Sequence, residues 1–132
     1  KNYHAVDDSI LSINLRKGNL SFLPKRLLTY MPNLKELILD FNLIRELPET
    51  ISNLNRLKVL SVRSNKIKKI PSTLYSMKSL NALWLSENQI NLIDKRIGDL
   101  SNLQFIDLSY NQLNDFPNVF DKLTDVSYLN LS

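Results

Sequence analysis

Aliphatic residues return every 23 residues along most of this 132-residue chain, and that recurrence restricts its fold more than any other feature. One copy runs Leu34, Leu37, Leu39, Asn42, Ile44, Leu47, Pro48, Ile51 and Leu54. The next places Leu57, Leu60, Val62, Asn65, Ile67, Ile70, Pro71, Leu74 and Met77 at the same spacing. It is followed by Leu80, Leu83, Leu85, Asn88, Ile90, Ile93, Asp94, Ile97 and Leu100. Leu103, Ile106, Leu108, Asn111, Leu113, Phe116, Pro117, Phe120 and Leu123 form another copy. Upstream, Ile10, Ile13, Leu15, Leu20, Leu23, Pro24 and Leu27 fill a copy about one residue longer. The last copy stops partway, after Val126, Leu129 and Leu131. The copies therefore span 10–33, 34–56, 57–79, 80–102, 103–125 and, in part, 126–132.

Within each copy a short segment alternates with period two, so Leu37 and Leu39 point one way while Glu36, Ile38 and Asp40 point the other. Stacked copies then become neighbouring parallel strands about 4.8 Å apart, with the aliphatic residues directed into one continuous core. Asn42, Asn65, Asn88 and Asn111 fall where the chain must turn out of the strand, and their amides are expected to link copies as a structural ladder. Gly18 takes that place in the first copy, where the ladder is expected to fray. Pro24, Pro48, Pro71 and Pro117 lead into the opposite side, read as short helices or 3₁₀ turns. Asp94 breaks the proline column, which predicts altered local geometry there.

Written out, each copy reads L-x-x-L-x-L-x-x-N-x-L-x-x-L-P-x-x-I-x-x-L-x-x, and in this it resembles the leucine-rich-repeat family over residues 10–132. The resemblance implies an α/β solenoid with a parallel sheet of about six strands on its concave face and short helices or 3₁₀ turns on its convex face. It also implies protein binding without catalysis. The many Asn, Ile and Lys point to an AT-rich bacterial genome such as a spirochaete's, and the expected setting is secreted or surface-exposed. Lys1 to Ser9 are expected to cap the front of the stack, with Tyr3, Ala5 and Val6 as their apolar members. The final strand is expected to leave an open hydrogen-bonding edge, so the rival reading is a self-assembling structural or adhesive surface protein that associates through Val126, Leu129 and Leu131.

Composition removes most chemistry. The chain is too short for two ordinary cores, and 43% hydrophobic with 23% charged residues excludes wholesale disorder. No stretch approaches the roughly 18 to 20 apolar residues of a membrane span. Absence of Cys eliminates thiolate nucleophiles and cysteine metal sites, and two Gly cannot build a phosphate cradle. The single His4, with Asp7 and Asp8, supplies no convincing fourth metal ligand. No cofactor and no catalytic residue are expected.

Recognition is then assigned to the strand positions that alternate with the core. One column across the sheet is Asn14, Ile38, Ser61, Trp84, Asp107 and Asn130; another is Ser12, Glu36, Val59, Ala82, Phe105 and Tyr128. A third is Arg16, Asp40, Arg63, Ser86, Ser109 and Ser132, with Lys17, Phe41, Ser64, Glu87 and Tyr110 at the sheet's edge. Trp84, the one Trp, is placed outward, and Phe105 and Tyr128 lie diagonally across neighbouring strands within reach of large rings. These three anchors, with Ile38 and Phe41 as a second apolar patch and Arg63, Glu87, Asp107 and Tyr110 around them, form the candidate binding site for a protein ligand. Arg16, Asp40 and Arg63, on consecutive rungs, are expected to form a surface ion ladder.

Charge is segregated along the chain. Arg56 to Ser86 holds seven basic residues and no acid, whereas from Glu87 onward there are three basic and seven acidic. A nucleic-acid role is disfavoured, because only Lys58 and Arg63 of this band map to the strand face and its cations do not alternate with aromatics for base stacking. A solvated band, or a patch steering an acidic protein, fits better.

Overall fold

The period-two segments pair as their spacing requires. A computed structural model of the protein describes residues 9–24 and 28–132. Six three-residue strands, β1 (Ser12–Asn14), β2 (Glu36–Ile38), β3 (Val59–Ser61), β4 (Ala82–Trp84), β5 (Phe105–Asp107) and β6 (Tyr128–Asn130), form one sheet in chain order. Every pairing is parallel and shifted by one repeat, so Leu37, Leu60, Leu83, Ile106 and Leu129 stand side by side. The chain is thus an α/β-class solenoid, with 3₁₀ turns at Glu49–Asn53, Ser72–Ser76 and Lys95–Asp99 on the side away from the sheet. The middle residue of each inner strand is sealed in one core that also takes in Leu39, Val62, Leu85 and Leu108 behind the strands and Ile51, Leu74 and Ile97 from the turns. His4, Asp7, Asp8, Leu27 and the expected cap through Asp8 lie outside the described residues.

The turns are entered from extended backbone, which proline favours. Pro48 and Pro71 have φ −69° and −62°, and Asp94 has φ −70° with ψ 146°. The expected change of geometry at Asp94 is therefore not found. Its Oδ1 accepts the Arg96 N–H at 2.9 Å and so caps the turn, a role Ser, Thr, Asn and Asp share. The Asp94 N–H, a donor that proline lacks, reaches the Tyr75 hydroxyl oxygen at 3.2 Å. Arg96 closes the arrangement with Nε and Nη2 donating to the same carboxylate at 2.9 and 3.1 Å. Gly98 in this turn approaches its neighbour closely, since a Cβ there would lie 3.0 Å from the Cβ of Val119.

The Arg96 hydrogen bonds, side chain first and backbone second, hold the Asp94 carboxyl down at about 2. Burial pushes the Tyr75 hydroxyl up. Because the folded value of Asp94 is depressed, its stabilising contribution is complete above the ordinary value of 3.8 and fades as pH falls towards 2. Asp94→Asn is accordingly expected to melt below the parent at pH 6, with the gap narrowing between pH 4 and about 2. A gap independent of pH in thermal scans would contradict this account.

The ladder asparagines occupy a line just past the strands. Asn65 Nδ2 donates to Leu39 O at 3.0 Å and Val62 O at 3.1 Å, while its Oδ1 accepts the Ile44 N–H at 3.0 Å. Asn88 does the same with Val62 O, Leu85 O and the Ile67 N–H, and Asn111 with Leu85 O, Leu108 O and the Ile90 N–H. Asn42 bonds Leu15 O, Leu39 O and the Leu20 N–H. The carbonyls of Leu39, Val62 and Leu85 therefore each receive two amides from successive repeats. Immediately before these asparagines, Phe41, Ser64, Glu87 and Tyr110 are held at φ 52° to 58°, as is Lys17 in the first copy.

Candidate functional site on the open face of the sheet

Alternation within three-residue strands sends the first and third side chains outward, and this builds the open face. Trp84, at the end of β4, is half-buried rather than sealed in the core. Its ring stacks on Phe105 with centroids 6.0 Å apart at 25°, and meets Tyr128 at 5.9 Å and 50°. Phe105 and Tyr128 are register partners, 37% and 41% exposed. Three rings from three successive strands thus make one continuous shelf. On its other side, the guanidinium carbon of Arg63 lies 4.4 Å from the Trp84 ring centroid, within cation–π distance.

The second patch is differently built. Ile38 is half-buried beside Asn14 and Ser61 in register, and Phe41 is 42% exposed under Arg16, whose guanidinium carbon stands 4.6 Å from the ring centroid, with Lys17 at 5.8 Å. Glu87 is exposed and its Oε2 accepts the Ser64 hydroxyl at 2.7 Å. Tyr110 is 74% exposed at the rim. Asp107 is turned back on its own strand end, where Oδ1 accepts the Ser109 N–H at 3.0 Å and hydroxyl at 2.7 Å. Asn14 and Asn130 cap the N–H two residues on in the same way.

The expected ion ladder does not form. Asp40 is buried, at 7% exposure, and its Oδ1 accepts the Ser61 hydroxyl at 2.6 Å and the Arg63 backbone N–H at 2.9 Å. It supplies from the neighbouring repeat the cap that Ser61 does not provide, while both arginines lie on rings instead. Neither Asp40's role nor the left-handed column carries a sequence signal as plain as a Gly. A groove of about 570 Å³ on the flank, lined among others by Phe22, Leu23, Leu47, Pro48 and Ile70, follows the Leu-Pro steps and is separate from the shelf. Val126 and Leu129 are half-buried against the core, and Leu131 is 40% exposed.

The family model for the leucine-rich repeat matches residues 9–67 and again 55–113. The chain belongs to the leucine-rich-repeat family. No curated protein matches it by sequence. Among solved structures it is similar to internalin C2 (inlC2) of Listeria monocytogenes, at TM-score 0.79 and 25% identity over 92% of this chain and 53% of that one. A leucine-rich-repeat protein of Leptospira interrogans gives TM-score 0.77 and 28% identity over 95% of this chain and 38% of that one. The ectodomain of the Arabidopsis thaliana receptor kinase GASSHO1/SCHENGEN3, solved in complex with Casparian strip integrity factor 2, gives 0.76 and 33% over 84% and 14%. The chain thus spans about half or less of the length of these proteins. Leucine-rich-repeat domains are protein-interaction modules, typically without enzymatic activity. Among the described residues no helix is long and apolar enough to cross a membrane.

Proposed function

We propose that this leucine-rich-repeat chain binds a protein ligand on the open, concave face of its sheet, without catalysis, in a secreted or surface-exposed bacterial setting. The observation that carries the reading is the shelf of Trp84, Phe105 and Tyr128, in which the Trp84 ring meets both other rings on the solvent side of three adjacent strands. Clustered aromatics flanked by Arg are the residue types that dominate interface energetics. Ile38, Phe41 and Tyr110 extend the contact area, while Arg63, Glu87 and Asp107 orient the ligand and penalise a mismatched one. The likeness to internalins and to a receptor ectodomain supports both the binding role and the setting.

The test is capture from host or matrix extract by the parent chain and by Trp84→Ala in parallel. The variant is expected to lose about 2 kcal/mol or more of binding, roughly a 30-fold weaker Kd, because it removes the centre of the shelf. Its melting temperature should stay near that of the parent, since the indole lies outside the aliphatic core. Undiminished capture by Trp84→Ala would place binding elsewhere on the molecule.

A further inference from the structure

We infer that the ligand meets this face with acidic side chains, a carboxylate seated on Arg63 beside an apolar residue on the Trp84 shelf; the inference rests on the reading above. Arg63 is held without a counterion. Its guanidinium carbon lies 4.4 Å from the Trp84 ring centroid, and its Nε is enclosed with no acceptor. Among the described residues the ion pairs are Asp94–Arg96 and Asp99–Lys122, both away from Arg63. The carboxylate on the adjacent rung, Asp40, is buried and accepts from the Arg63 backbone, not from its guanidinium. A guanidinium already held over an indole has less rotamer freedom to lose when a ligand arrives, and its fork of N–H donors matches a carboxylate.

The same element occurs twice. Arg16, in the column of Arg63, rests on Phe41 at 4.6 Å and likewise has no ion-pair partner among the described residues. Two rungs separate the arginines, roughly 10 Å along the stack. The field on the Arg63 side agrees in sign, because residues 56–86 carry seven cations and no acid, whereas the acidic excess begins at Glu87. An acidic segment is drawn to the Arg63 end of this surface and a basic one repelled there. The loop cations Arg45, Lys66 and Lys68, which line a separate cleft with Gln89, contribute to that field but offer no ring for a partner's apolar side chains.

Trp84 is the single Trp, so its fluorescence reports on the site directly. The parent chain is titrated with a glutamate–tyrosine copolymer and, separately, with a lysine–tyrosine copolymer. Arg63→Gln and Lys66→Gln, which remove the same charge from the shelf and from the loop, are titrated alongside. A saturable change in Trp84 emission is expected with the acidic polymer only. Its midpoint should rise tenfold or more in Arg63→Gln and stay within about twofold in Lys66→Gln. Equal weakening in both variants, or a response to the basic polymer alone, overturns the inference, as does silence with both polymers. If capture from extract still depends on Trp84 while the polymers are silent, the acidic assignment alone fails. If that dependence is absent as well, the failure belongs to the open-face reading.

Discussion

Leu83→Ala is expected to lower the unfolding free energy by about 2–5 kcal/mol, the usual cost of emptying a well-packed aliphatic site. Leu83 is 1% exposed in the centre of β4, in register between Leu60 and Ile106, so the lost methyl groups leave a void walled by side chains of both neighbouring repeats. Those neighbours are fixed by parallel pairing on either side and have little room to close in. Urea unfolding should show a lower midpoint with an unchanged slope. The adjacent Trp84→Ala provides the contrast, because it removes a larger group from the solvent side and is expected to change binding far more than folding. A loss below about 1 kcal/mol at position 83 would mean that the stack collapses around the cavity.

Asn88→Ala is expected to cost about 2–4 kcal/mol, although it removes little apolar surface. The Ile67 N–H donates to Asn88 Oδ1 at 3.0 Å in a buried setting and would be left without an acceptor. A buried orphaned donor costs about 1–3 kcal/mol, and the space left by the amide adds to it. The carbonyls of Val62 and Leu85 lose one donor each but keep Asn65 and Asn111, respectively, which limits the damage. Hydrogen exchange should locate the effect at the Ile67 amide, with faster opening there than in the distant β1–β2 pairing. Exchange at Ile67 equal to the parent's would mean that another acceptor, such as a trapped water, satisfies this N–H.

How much of this was legible in the letters depended on whether a residue's neighbours are set by the period. The 23-residue spacing places Leu60 beside Leu83 and Trp84 outside the core, because both follow from alternation and stacking alone. It does not say which way a long side chain folds once it leaves the strand. Arg16, Asp40 and Arg63 share a column, yet each arginine lies down on a ring and the carboxylate turns inward to backbone and Ser61. The left-handed column was invisible for a different reason. Phe41, Ser64, Glu87 and Tyr110 have no intrinsic preference for positive φ, and the conformation is imposed by the strand on one side and the ladder asparagine on the other. At Asp94 the signal was present but ambiguous, since an Asp two residues before Arg96 reads equally as an interruption or as a cap.

Each strand is only three residues long and hides its middle member, so a repeat shows just two strand side chains outward. Exchange of those two letters leaves the aliphatic seam and the amide line untouched. Duplication or shuffling of whole units can therefore rewrite what the surface prefers, one narrow stripe at a time, while the chain remains equally foldable.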